Sequence, residues 1–229
     1  MKTLGRQKAA AEERSEIASA ETEHPARARI ISAAEALFAE LGFDGASVRQ
    51  IALAAKVPLA LVSYHFGSKE GLYRAIFELR APSIVEQRQV GLLLADAEKD
   101  PERRLELVVK ALLIPMLKLR REEKSARFGA LLAREVSDPK SLDRGIIRDM
   151  FDPVARSFIQ AMREVLPDRS NAEINWAYQV MIGAMVHVMG DAGRIARLSD
   201  GACDPEDDRQ TTVHIVSLLL AAVRYGSKM

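Results

Sequence analysis

Between residues 28 and 77 the chain reads ARIISAAEALFAELGFDGASVRQIALAAKVPLALVSYHFGSKEGLYRAIF, and this stretch restricts the fold most strongly. Apolar residues recur in it at helical spacing, while Gly42, Lys56-Val57 and Gly67-Ser68 cut it into short pieces. Helices of barely two turns do not persist in isolation, so the pieces must pack on one another. The spacing predicts three short helices and the opening of a fourth.

The first helix is expected over 25–41, with Pro25 at a first helical position and Gly42 as a left-handed stop. Ile30, Ala34, Leu37, Phe38 and Leu41 form its inward face. The second starts at Ser47, where Ser47 and Gln50 make an S-x-x-Q capping box, and turns Val48, Ile51, Ala52 and Ala55 inward. The third begins at Pro58 and ends near Tyr64. Val57, Val62, Phe66 and Leu72 can hold it against its neighbours, leaving Leu59, Ala60, Leu61, Ser63 and Tyr64 at or near the outer face. Ser68 caps a fourth helix that continues toward Lys99 through Pro82.

Such a trihelical unit suits insertion of one helix into a DNA major groove. The electrostatic footprint is slight: residues 25–80 hold seven Lys/Arg against five Asp/Glu, and the whole chain has a formal net charge of +1. Affinity must therefore come from placing a few positive groups well, and doubling them in a dimer would help.

The array A-A-x-x-L-F-A-E-x-G-F-x-x-x-S-V-R-x-I-A-x-x-A-x-V, followed by Y-H-F-G-S-K-E-x-L, resembles the N-terminal domain of tetracycline-repressor-type (TetR family) regulators. The resemblance implies a homodimeric, one-component transcription factor that binds a double-stranded DNA operator and takes an inducer in its C-terminal domain. Ser47 and Lys69, at helix starts, are the expected phosphate contacts. Tyr64 and His65 resemble the family's paired aromatic residues that reach backbone oxygen. Arg49 is the candidate reader of a guanine edge, because its fork matches O6 and N7. Leu59, Ala60 and Ser63 complete the proposed DNA face. The chain departs from many relatives at Pro58, Leu59 and Ala60, where they carry serine, lysine or glutamine, then glycine; specificity then rests on Arg49, Ser63, Tyr64 and DNA shape. Each residue keeps a structural alternative: Ser47 as a cap only, His65 as packing, Leu59 and Leu61 as buried.

From residue 81 onward the pattern is helical, with helices expected over 102–121, 123–136, 142–166, 172–198 and 206–225. The fold class is therefore all-α: a three-helix helix-turn-helix DNA-binding domain over 25–80 and a helical effector-binding and dimerisation domain over 81–229. Residues 1–24, rich in charge and poor in large apolar side chains, read as a disordered arm, with Arg6, Lys8 and Arg14 as alternative phosphate or minor-groove contacts.

No catalytic constellation, metal-ligand spacing or phosphate loop is present, so no enzyme activity, metal or cofactor is expected. One cysteine, Cys203, cannot form an intramolecular disulfide, and no 18-residue run is free of charge; the expectation is a cytoplasmic protein without membrane association. Apolar stripes with flexible methionines suggest a pocket for a small, mostly apolar effector, assigned to Leu112, Met116, Phe128, Leu132, Phe158, Met162, Met181 and Met185. Pro115 is expected to bend its helix. Arg127, Arg134 and Glu135 could orient a polar head of the effector, but the favoured reading is that they are solvated or form surface ion pairs. By the resemblance, the two C-terminal helices form the dimer interface, with the helix over 142–166 as the alternative; His187 is expected inside or at that interface. A narrower likeness, L-V-S-Y-H-F-G-S-K-E-G-L with W…M-x-G-A and G-x-x-x-x-x-R-L, is similar to a branch with fatty-acid-responsive members. Two alternatives stay open: an activator, or a ligand-binding or enzymatic helical domain carrying a vestigial DNA unit.

Overall fold

A computed structural model describes residues 25–121, 123–190, 193–204 and 207–226; the arm expected over 1–24 lies outside the described residues. Among the described residues no strand occurs. The chain divides into two units, with the boundary between Ile76 and Phe77.

The first unit holds α1 (residues 25–45), α2 (Val48–Ala55), α3 (Leu59–Phe66) and the first turns of α4 (Lys69–Asp96). Its core is made by Ile30, Ala34, Phe38, Ile51, Val62, Leu72 and Ile76, all nearly sealed from solvent. Phe38, Phe43 and Tyr73 form an aromatic cluster with centroid separations of 5.9, 4.9 and 5.0 Å. Each such pair adds roughly 0.5–1.5 kcal/mol beyond its buried area. Gly42 is left-handed as its spacing predicts, but helical hydrogen bonding resumes and α1 runs to residue 45. Leu41, in the turn before that reversal, is exposed rather than inward.

The second unit contains the remainder of α4, then α5 (Pro101–Lys118), a 3-10 turn η1 (Leu119–Arg121), α6 (Glu123–Ser137), α7 (Ser141–Arg144), α8 (Ile146–Met150), α9 (Asp152–Val165), α10 (Asn171–Met189), α11 (Arg194–Leu198) and α12 (Asp208–Tyr225). Helix α5 packs against α9, α10 and α12, while α10 also meets α6, α9 and α12. Leu105, Val108, Leu112, Leu113, Phe128, Leu131, Phe158 and Met162 fill the core between them.

Two single helices expected from periodicity are broken. The span 142–166 is three helices: Gly145, with φ +65°, closes α7, and Pro153 near the start of α9 forbids continuation from α8. The span 172–198 stops at Met189, and α11 restarts after the left-handed Gly193. Among the described residues no helix is long and apolar enough to cross a membrane.

Candidate nucleic-acid interface and effector cavity

Helix α3 is short, so its surroundings fix it. Val57 N–H donates to the Ala52 carbonyl (3.0 Å), and Lys56 closes α2 in a left-handed conformation. Pro58 is the cap of α3 rather than its first helical residue, and the Leu61 N–H bonds back to its carbonyl. At the other end Gly67 turns with φ +71°, and its N–H donates to Ser63. Ser68 Oγ accepts the Gly71 N–H at 3.0 Å. A Cβ on Gly71 would lie 2.2 Å from the Phe66 carbonyl oxygen, so only glycine lets α4 begin this close to the end of α3.

Held in this way, α3 buries Val62 and presents Leu59, Ala60, Ser63 and Tyr64 to solvent, with Tyr64 73% exposed. Leu61 is half-buried. His65 is also half-buried: its ring meets those of Tyr64 and Phe66, and Nε2 is sealed with no hydrogen-bond partner. Two cations are positioned by rings. Lys69 Nζ sits 4.6 Å from the Phe43 centroid, and the Arg27 guanidinium 5.4 Å from that of Phe66. Arg29 Nε donates to the Ala55 carbonyl at the end of α2.

The capping box at α2 is complete. Ser47 Oγ accepts the Gln50 N–H (3.2 Å) and donates to Gln50 Oε1 (2.7 Å), which also takes the Ser47 N–H (2.9 Å). The Ser47 hydroxyl proton is thus spent on Gln50. What this helix start offers an anion is its remaining first-turn N–H groups, with no acidic side chain in that turn. Arg49 is exposed on the same turn. Leu53, one turn further on, is 80% exposed on the face shared with Arg49, a position the apolar pattern did not mark. Its signal was available, since it falls off the Ile51–Ala52–Ala55 stripe.

In the second unit a cavity of about 260 Å³ opens among α4, α5, α6, α9 and α10. Met116, Leu132 and Met185, three of the residues assigned to a pocket from their stripes, line it together with Arg88, Phe151, Asp152 and Tyr178. Leu112, Phe128, Phe158 and Met162 are sealed core residues that do not line this cavity, and Met181 lies instead on a groove beside α12. Arg88 is 4% exposed, and its pattern in E-Q-R-Q-V gave no hint of that. Its Nε and Nη2 donate to the Leu112 carbonyl (3.3 and 3.2 Å), three residues before Pro115 within α5. Nη2 also meets Met185 Sδ at 3.5 Å. Burial pulls the guanidinium pKa down to about 10, with nearby Tyr178 opposing the shift. Burial likewise raises the Tyr178 phenol.

Glu135 corrects the surface reading. It is fully buried, takes Arg144 at 2.7 Å and accepts a hydrogen bond from Ser141 Oγ at 2.9 Å. Desolvation works against the Arg144 charge, but Glu135 and Asp138 outweigh it and raise that pKa. Arg134 is exposed. Among the described residues no cluster of His, Cys, Asp or Glu could hold a metal ion.

A trihelical unit with one anchored, outward-facing helix and a helical companion unit defines a helix-turn-helix DNA-binding regulator. Residues 30–76 match the family model for bacterial regulatory proteins of the tetR family, and residues 110–222 match a tetracyclin repressor-like C-terminal domain. The chain belongs to the TetR family of transcriptional regulators, which are not enzymes. It is 30% identical over 134 residues to the HTH-type transcriptional dual regulator CecR of Shigella flexneri, covering 56% of this chain and 59% of that one. It is 33% identical over 138 residues to the HTH-type transcriptional regulatory protein RaaS of Mycobacterium tuberculosis, covering 58% and 64%. The chain thus spans less than two thirds of either relative. Its fold is similar to that of the fatty acid degradation regulator FadR from Bacillus halodurans, with a TM-score of 0.54, 19% identity and coverage of 89% and 97%.

Proposed function

We propose that this regulator acts as a homodimeric repressor that leaves its operator when a small, mostly apolar effector enters the second unit. The observation that carries the DNA part is α3 itself: anchored through Val62, it presents Leu59, Ala60, Ser63 and Tyr64 as one open row. Arg49, Lys69 and the α2 N-terminus supply base and phosphate contacts, and His65 supports Tyr64 through ring contact. The DNA-binding domain is taken as 25–80 and the effector and dimer domain as 81–229.

Dimerisation is supported by α10 and α12, which pack on one another and leave Trp176 and Val180, Leu218 and Tyr225 exposed at helical spacing. A groove of about 580 Å³ runs beside them, lined by Trp176, Val180, Met181 and Leu219. His187 is exposed on the single chain, as an interface residue would be. Two recognition helices then meet successive major grooves about 34–36 Å apart. The ligand's unequal affinity for the two dimer states sets the switch. The likeness to FadR supports a fatty acid or acyl compound as effector, and binding to operator DNA would require the protein to act in the cytoplasm.

A gel-shift on the gene's own upstream DNA tests the reading. Lys69→Ala should weaken binding to all sequences and lower the salt slope by about one, whereas Arg49→Ala should cost about 1–3 kcal/mol at one base step. Binding unaffected by both variants overturns it. Transcription measured with the gene deleted separates repressor from activator.

A further inference from the structure

We propose that the cavity of the second unit is an anion subsite, built by Arg88 for a compact amphipathic monocarboxylate of about ten heavy atoms. The inference rests on the effector reading above and narrows it.

Arg88 has no carboxylate within ion-pair range among the described residues; its partners are the Leu112 carbonyl and the Met185 sulfur. Contrast Arg144, less deeply buried yet clamped by Glu135 and Asp138. A buried guanidinium without a counter-ion is costly, and is tolerated where an anion completes it. Its Nη1 donates no hydrogen bond among the described residues, and the side chain lines the cavity wall. The Nη2–sulfur contact is weak, since a thioether is a poor acceptor. A carboxylate displacing Met185 Sδ would gain Nη1 and Nη2 together, the two-pronged grip that arginine offers.

The remaining wall sets the rest of the ligand. Met116, Leu132, Phe151 and Met185 are apolar, and the methionines adapt to irregular shapes. Asp152 lies on the same wall in the first turn of α9 and repels any bound anion, so the Arg88 grip must outweigh it for one negative charge and would not for two. The enclosed volume sets the scale of the part of a ligand it can cover: about 150 Å³ holds the six carbons of benzene, so 260 Å³ covers about ten heavy atoms. Octanoate has that size; a coenzyme A thioester or a long-chain fatty acid does not.

The test is calorimetric titration of the purified full chain, without DNA, against octanoate, octan-1-ol, octylamine and octanoyl-CoA. Octanoate is expected to bind at least about tenfold more tightly than the other three, the worth of one charge-assisted contact. Arg88→Gln should erase that preference and Arg88→Lys should keep part of it, with circular dichroism confirming the fold. Should the variants not fold, the wild-type panel decides alone. Equal binding of octanoate and octan-1-ol, tighter binding of octanoyl-CoA, or no octanoate binding overturns the proposal. Because no DNA is present, such a failure leaves operator recognition standing, and a failed gel-shift leaves the anion subsite standing.

Discussion

Two helices, one in each unit, begin with the same reciprocal cap: Ser47 with Gln50 at α2, Ser170 with Glu173 at α10. The hydrogen-bond geometry is nearly the same, with hydroxyl-to-amide distances of 3.2 and 3.3 Å. The charge is not. Glutamate at α10 neutralises the positive end of the helix and is itself held by Arg169 at 3.0 Å. Glutamine at α2 closes the same bonds and leaves the helix end electropositive. The first unit thus keeps positive potential unspent at the start of α2, while the second cancels it at the start of α10 and pairs the buried Glu135 with Arg144. Arg88, 4% exposed and without a carboxylate in ion-pair range among the described residues, departs from that pairing, which is why we propose it as a ligand contact.

Removing the buried carboxylate should give the largest effect. Glu135→Ala leaves Arg144 with Asp138 and takes the Ser141 hydroxyl's acceptor away, and should cost about 1.5–3 kcal/mol of unfolding free energy in urea melts. A loss below about 1 kcal/mol, the worth of a surface pair, would break the contrast between the units. Next comes Gln50→Glu, which makes the α2 cap resemble that of α10. Thermal stability should hold, while operator affinity measured by fluorescence anisotropy should fall about tenfold through repulsion of a phosphate; unchanged affinity would show that this helix end does not meet DNA.

The smallest effect lies in acid. The Ser170 backbone N–H, then its hydroxyl, then Arg169 hold the Glu173 carboxyl below its ordinary 4.5. A depressed carboxylate stabilises the fold fully above the unfolded value and loses that contribution as pH falls through the folded one. Wild type should therefore lose its advantage over Glu173→Gln below pH 4.5 in melts across pH, and parallel curves would contradict the assignment.

Much of the first unit could be read directly. S-x-x-Q predicted the α2 cap, Gly67-Ser68 the break before α4, and helical spacing placed Ile30, Ile51 and Val62 inside. These are local signals, carried within four residues of one another. Other local signals were present but outweighed by periodicity: Gly145 and Pro153 each marked a boundary that a long apolar stripe concealed. The candidate DNA face was legible in residue type, yet its detail was not. That the Ser47 hydroxyl is spent on Gln50, that Lys69 rests on the Phe43 ring and that Leu53 stands open are all consequences of packing.

From the chain alone came the helical class, the trihelical opening unit and the family resemblance, because caps, turns and stripes are written in neighbouring residues. Tertiary structure alone decided the fate of charge. Glu135 meets Arg144 only because the chain reverses around Asp138-Pro139, and Arg88 is sealed only because α5 and α10, far along the chain, close over it. Burial of a charge depends on which distant elements exclude water from it, and no spacing within its own helix records that.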